Sequence, residues 1–500
     1  MRLHVLVWAW LAAGGLGLCC AKQATITPGV PGTGLRVVEQ RLGPVPKNVM
    51  ETVTSPDGCH VAFVTRVENG ICVVLDGQAG PQYESVGGYS PYFDPISRRL
   101  VFSPDGKRLA YAAKKDGKEF VVIDGQAGPQ YECVFRRSLV FSPDGRRLAY
   151  AAKKDGKEFV VIDGQAGPGY EHIGYSARYH PIAFSPDGKH LAYQASNGGG
   201  AFMVVDGQVG PEYDGVRDPV FSSDGKRLAY AAWRGGHWLV VVDGQAGPEF
   251  DGPDVGHPVF SPDGKRLAYR VWHGNKWFVM VDGQAGPGYD KEIGHPIFSP
   301  DGKRVGYVAG KGGKRFEVLD GQEGTEYDGI GIGAGSLVFS LEGKRVAYMA
   351  RKGDKWFVVI DGQEGTAYDG IRNLVFSADG KRVAYMARKG EKWFVVIDGQ
   401  EGPEYEGIGG LVFNPDGKRV AYGAQKGKKR LVVVDGQPGP EYDRIGKGCP
   451  VFRPDGTLEY LALKAGNLFR VKHVPAVEPR QPTDPGVPAE PGARPARVEK

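Results

Sequence analysis

The sequence predicts an all-β protein, a β-propeller of about eleven four-stranded blades, and three observations carry that prediction. A turn of the Ser-Pro-Asp-Gly kind recurs eleven times between Gly58 and Gly456, at intervals of 37 to 48 residues. A second beat, Asp-Gly-Gln, recurs ten times from Asp76 to Asp435 and keeps phase with the first. Lys107–Glu132 and Arg146–Glu171 differ at only two positions. Self-similarity at a period near forty residues marks an array of one repeated supersecondary unit.

One unit, Leu374–Ile408, shows what repeats. Leu374-Val375-Phe376-Ser377 is a short apolar strand, turned by Ala378-Asp379-Gly380. The segment 381–387 returns as a second strand, and Arg388-Lys389-Gly390-Glu391 is a polar turn. Trp393 to Ile397 is aromatic and β-branched without a polar break, the mark of a strand buried on both faces. Asp398 to Pro403 turns the chain again, and 404–408 reads as a frayed fourth strand. Four short strands joined by Gly-bearing turns make an antiparallel meander. A lone meander of this size is marginal in water, so each unit must bury its faces against the next. Radial stacking does this and also protects the sheet edges. Eleven units fit one large ring or two rings of about five and six blades.

Composition agrees. The 77 glycines and 36 prolines recur at fixed places in the repeat, as tight turns require. A net charge of +5 on 500 residues is too weak to direct the chain to nucleic acid. Residues 1–21 read as an export signal: Arg2 is followed by an apolar run from Val5 to Leu18, shorter than the ~20 residues a membrane span needs. The run ends at Cys19-Cys20-Ala21. Leu16-Gly17-Leu18-Cys19 resembles a bacterial lipobox, with Leu18 where a small residue is expected. Lipidation of Cys19 and simple cleavage after Ala21 both stand open. Export places the protein in the periplasm or cell envelope, with a lipid tether if Cys19 is modified. Residues 22–34 read as a linker, 35–473 as the propeller, and 474–500 as a disordered Pro-rich tail. Leu35–Leu42 suits a strand, and it is expected to complete the last blade as its outermost strand. Cys59, Cys72, Cys133 and Cys449 are scattered among repeats and read as buried free thiols.

The phrase Phe-Ser-Pro-Asp-Gly-Lys-Arg-Leu-Ala-Tyr, at Phe102–Tyr111 and Phe260–Tyr269, resembles the WD40-like (PD40) propeller repeat of TolB-type periplasmic proteins. The same repeat occurs in propeller domains of prolyl oligopeptidase relatives. The resemblance covers about residues 50–473 and implies a propeller used for binding or scaffolding. It implies no reaction, since function lives in sites grafted on a fold.

The chemistry-bearing patterns are few. The sequence contains no Gly-x-Ser-x-Gly elbow, P-loop, dinucleotide fingerprint or His-Glu-x-x-His motif. The recurring Asp-Gly pairs are hairpin punctuation. The second-to-third-strand turns concentrate cations, including Lys115, Lys154, Lys352, Lys389 and Lys428, on one face of the disc. That face suits an acidic protein, an anionic glycan or an anionic lipid headgroup. The links into the innermost strands read His180-Pro181, Asp218-Pro219, His257-Pro258 and His295-Pro296 in four consecutive repeats. Three imidazoles and a carboxylate at a channel mouth are ligand types for a divalent metal. No cofactor is otherwise implied. The first reading is therefore a non-enzymatic binding protein. The alternative is a metal-dependent lyase or hydrolase acting on an acidic sugar at the channel mouth.

Overall fold

In a computed structural model, which describes residues 24–30, 34–87, 100–135, 137–174, 182–291, 293–331, 337–446 and 450–475, every assigned element is a β-strand. The strands form eleven separate antiparallel sheets, numbered here as blades 1 to 11 by their Ser-Pro-Asp-Gly-type turns. Blade 9 is representative, with strands Gly370–Phe376, Val383–Lys389, Lys392–Ile397 and Gln400–Glu401. First strands of neighbouring blades approach one another, which sets them nearest the axis.

The blades close into one ring, which decides between the single and the double ring. Blade 11 is built from Leu458–Lys464 and Asn467–Pro475 with the N-terminal strand Leu35–Pro44 laid against it. Leu42 and Leu468 then pack on Val61 and Phe63 of blade 1. On the other side Leu35 and Val37 pack with Val432 and Tyr442 of blade 10. Each neighbouring pair of blades shares an apolar cluster of this kind, including the pair that joins the chain ends.

Three expectations need correction. The N-terminal strand is not outermost, because Ala24–Val30, expected to belong to a linker over 22–34, pairs outside it. The fourth strand of the repeat is not 404–408. The regular ladder stops after Gln400–Glu401, as it does after Gln322–Glu323 and Gln363–Glu364, where Thr takes the place of Pro403. A single bridge, Trp393 to Tyr405, then sends the Tyr405 ring into the interface between blades, and Gly407–Phe413 already opens blade 10. The thiols are free at Cys59, Cys72 and Cys133, but only Cys72 is buried; Cys449 lies outside the described residues. The leader with Cys19 and the tail beyond Pro475 also lie outside them.

Two sets of polar contacts fix the blades to one another. On the face carrying the Ser-Pro-Asp-Gly turns, Arg345 Nε donates to Asp361 of its own blade at 2.8 Å, and Nη1 donates to the Lys381 carbonyl of the next at 3.0 Å. The guanidinium also lies over Phe376 of that next blade, at 5.4 Å. Arg108, Arg227, Arg266 and Arg382 repeat the arrangement. The partner Asp residues sit at φ near 50°, a conformation Asp tolerates, and their other oxygen accepts a backbone N–H. The repeated Asp-Gly pair therefore makes the turn and also anchors the arginine.

On the opposite face the acidic residue that follows the interface Tyr reaches the hairpin of the next blade in several blades. Asp328 accepts from Gly353 N at 2.7 Å, Asp369 from Gly390 N at 2.6 Å, and Asp443 from Ala465 N at 2.8 Å. Each also takes a lysine of its own blade, Lys314, Lys355 and Lys429. The lysine hydrogen bonds hold these carboxyls below the usual carboxylate range.

The seam between blades 11 and 1 differs from the others. Arg453 stands where other turns carry Ser or Asn, and its Nε donates to Glu459 at 2.9 Å. Glu459, 3% exposed at its side chain, also faces Arg470 at 3.5 Å and Lys472 at 3.7 Å. Arg470 reaches across the seam to the Cys59 carbonyl. Burial, reinforced by Glu459, pushes the Cys59 thiol up to about 11, so it stays protonated at neutral pH.

Candidate functional site

The ring has two regions where side chains gather beyond what the repeat needs. The first is the mouth of the channel on blades 5 to 7. Asp218 lies at a β-bulge in the strand Gly215–Phe221, at φ 61°. Asn373 and Gly410 occupy the matching bulges of blades 9 and 10, at φ 54° and 66°. Asp at this position is thus explained in part by the backbone, since Asn, Asp and Gly are the residues that accept it.

Asp218 nevertheless has neighbours the other bulges lack. Its side chain is 2% exposed, with Oδ2 at 3.4 Å from His257 Nδ1 in blade 6 and 3.6 Å from Arg217 Nε. The His257 ring lies 5.9 Å from the His295 ring in blade 7, centroid to centroid. The three candidates therefore lie in a row across three blades. Oδ1 of Asp218 is buried without a hydrogen-bond partner. Burial pushes the Asp218 carboxyl up to about 6 against the pull of Arg217, and burial lowers His257. Among the described residues no group of three or more His, Cys, Asp or Glu is placed to hold a metal ion. His180, the fourth candidate, lies outside them.

Sequence reading missed the arginines of this mouth. Arg217 lies over Trp238, 4.1 Å from the ring centre, and donates to the Val255 carbonyl of blade 6 at 2.9 Å. Arg270 stacks on Trp277 and donates to the Ile293 carbonyl of blade 7 at 2.7 Å. Arg372 repeats the arrangement on Trp393 with the Ile408 carbonyl. The signal was an Arg one residue before the bulge, or opposite it, together with a Trp on the third strand.

The second region is the hairpin face. Lys115, Lys154, Lys352, Lys389 and Lys428 are all exposed there. Lys352 is tied to Glu364 at 2.6 Å and Lys389 to Glu401 at 2.7 Å, each lying over two rings of the blade interface. Those two ammonium groups are fasteners. Lys115, Lys154 and Lys428 form no ion pair among the described residues and remain available to solvent.

The topology defines the class of protein: an eleven-bladed β-propeller closed by its N-terminal strand. No protein-family model matches the chain, and no curated protein matches it. Among solved structures it is similar to a eukaryotic initiation factor, with 13% identity, TM-score 0.42, and coverage of 77% of this chain and 97% of that one. It is also similar to TolB from Acinetobacter baumannii, with 15% identity, TM-score 0.25, and coverage of 47% and 61%. A third likeness is to the Dos1 propeller, at 13% identity, TM-score 0.30, and coverage of 58% and 90%. The fold assignment rests on the sheets and their closure, not on these likenesses.

Proposed function

We propose that this protein is an exported, non-enzymatic scaffold of the cell envelope, of the TolB-like kind, whose hairpin face binds an acidic protein or an anionic glycan. The observation that carries this reading is the set of exposed ammonium groups at Lys115, Lys154 and Lys428, which form no ion pair among the described residues, on the face where Lys352, Lys389 and Lys429 are paired with carboxylates. Exposed charges of this kind attract a polyanion at long range and are screened beyond ~8 Å at physiological ionic strength. A sulfated glycan and poly-glutamate are suitable probes. Replacing Lys115, Lys154 and Lys428 together by Glu should weaken binding of either probe by about tenfold or more at low salt, because the site changes sign. Its melting temperature should stay near that of the parent, since none of the three fastens a blade. Binding that ignores both salt and these substitutions would remove the proposal. The N-terminal residue of the mature protein, read by mass spectrometry, decides between lipid-bearing Cys19 and cleavage after Ala21.

A second reading, a metal-dependent lyase or hydrolase acting on an acidic sugar, rests on the unpartnered buried oxygen of Asp218 beside His257. An added cation is what such an oxygen would accept. Metal retained by the purified protein and lost on His257→Ala, with the fold intact, is the expected result under this reading. Protein that purifies without metal and takes up none from added zinc or manganese would sink it.

A further inference from the structure

Blade 8 breaks the repeat on the Ser-Pro-Asp-Gly face. Its turn reads Ser340-Leu341-Glu342-Gly343, and Leu341 stands 62% exposed where most blades carry Pro. No contact within the fold accounts for an aliphatic side chain left in water. Leu341 lies at the edge of an open groove of about 670 Å³ that runs along the axis-facing wall of blades 7 to 11. Small-molecule sites fall in the range of about 300–1,000 Å³. The floor is made by successive first strands, which present Val338, Val375, Val412 and Val451, and Ala378 lowers the wall beside Leu341.

The polarity of the groove restricts what could lie in it. Two polar side chains, Ser377 and Asn414, line it, and both are buried and engaged in their own turns. Ser377 Oγ donates to Asp379 at 2.5 Å and accepts from Arg382 N at 2.9 Å, while Asn414 accepts from Arg419 N at 2.8 Å. A peptide laid here would bury amide groups with no answering side chain, at a cost of a few kcal/mol each. It could not pair with the first strands either, because the groove crosses them from blade to blade. A hydrocarbon chain has no such groups to satisfy. The exposed Lys381 and Lys418 lie three residues beyond Ala378 and Pro415 of the groove wall, and they make no ion pair among the described residues. The neighbouring carboxylates are held by their own turns, Asp379 by Ser377 Oγ and Lys381 N, and Asp416 by Lys418 N.

We propose that this groove holds the alkyl chain of a single-chain anionic amphiphile, a fatty acid or its like, with the anionic head against Lys381 and Lys418. The site lies on the channel wall and is independent of the hairpin face, so the two can fail separately. The test uses the full chain and a homologous series of octanoate, decanoate and laurate, each below its micelle concentration, with dodecyl maltoside as the uncharged control. Saturable binding of laurate is expected, tightening about tenfold for each added pair of methylenes, because apolar burial scales with chain length. Leu341→Asp changes an exposed residue and Ala378→Trp fills the groove. Each should weaken laurate by about tenfold while the circular dichroism and melting temperature hold. Lys381→Glu with Lys418→Glu should abolish the preference for laurate over dodecyl maltoside. Laurate that fails to bind, or binds all variants alike, overturns the proposal. Equal binding of the maltoside to the parent protein overturns the role of the lysines, and competition by an apolar peptide of equal length overturns the choice of an alkyl occupant.

Discussion

Removing residues 22–42 should lower the melting temperature of this protein by about 10 °C or more and broaden its transition. The deleted segment supplies Leu35, Val37 and Leu42, which are buried in the clusters that join blade 11 to blades 10 and 1. Burial of each is worth about 1.5–3 kcal/mol, so the three together approach the whole stability of an ordinary domain. The segment also carries Glu39, which accepts from Tyr442 at 2.6 Å in a buried hydrogen bond between the N-terminal strand and blade 10. Without it the third strand of blade 11 becomes an open edge, and the end blades lose the second neighbour that stabilises units in a repeat array. Val37→Pro should act in the same direction. Val37 pairs with His473 on one side and Thr27 on the other, so a proline there costs one ladder bond whichever strand its N–H faces. Deleting only residues 22–30 leaves Leu35, Val37 and Leu42 in place and should cost a fraction as much. Truncation from Glu478 onward should leave the melting temperature unchanged within about 1 °C. Calorimetry on the four variants is the measurement. A deletion of 22–42 that melts with the parent would mean that the ring does not depend on its closure.

That closing strand was legible because alternating Val, Leu and charged residues in Leu35–Leu42 match the pattern of a strand with one buried face, and because blade 11 lacks an Asp-Gly-Gln turn. The strand outside it was not legible. Thr25, Pro28 and Gly29 read as linker, and nothing local announces that Ala24–Val30 will find a partner in Leu35–Pro44. The fourth strand was misread for a similar reason: an aromatic near the end of the repeat looks like strand, while Tyr405 serves the interface between blades. Ring number could not be read from period alone, since curvature is set by how far each blade rotates against the next. The hairpin face was legible as cationic from Lys and Arg counts. The pairing of some of these cations was not, because Asp328 and Asp369 also meet hairpins more than twenty residues away in the next blade. At the channel mouth the Pro register points to Asp218, His257 and His295 on neighbouring blades, but the 3.4 Å approach of Asp218 to His257 and the 5.9 Å spacing of the two rings depend on how the blades rotate against one another.

Acid should loosen the seam, and His473 should be a principal cause. This residue is 0% exposed, lies in the strand that pairs with the N-terminal segment, and meets the Tyr460 hydroxyl through Nε2 at 3.0 Å. Its Nδ1 is buried without a partner, and burial lowers its pKa from the ordinary 6.5 to about 4. Between those values the unfolded chain binds a proton that the folded chain does not, so stability rises with pH across that window. The contribution is fully present above about pH 6.5 and falls away towards pH 4, amounting to about 3 kcal/mol. Asp218 works the other way, because its folded pKa is raised to about 6 and its contribution diminishes as pH rises from 3.8 to 6. The depressed carboxyls of the turns, such as Asp187 at about 2, add to the loss of stability at lower pH still. A comparison with His473→Phe isolates the imidazole, since the other groups titrate alike in both proteins. At pH 8 the variant should be less stable by about 1 kcal/mol, for the lost hydrogen bond to Tyr460. The gap should close and then reverse as the pH falls towards 4, the variant becoming the more stable protein. Parallel stability curves from pH 8 to pH 4, measured by urea unfolding, would show that His473 does not set the acid response of the seam.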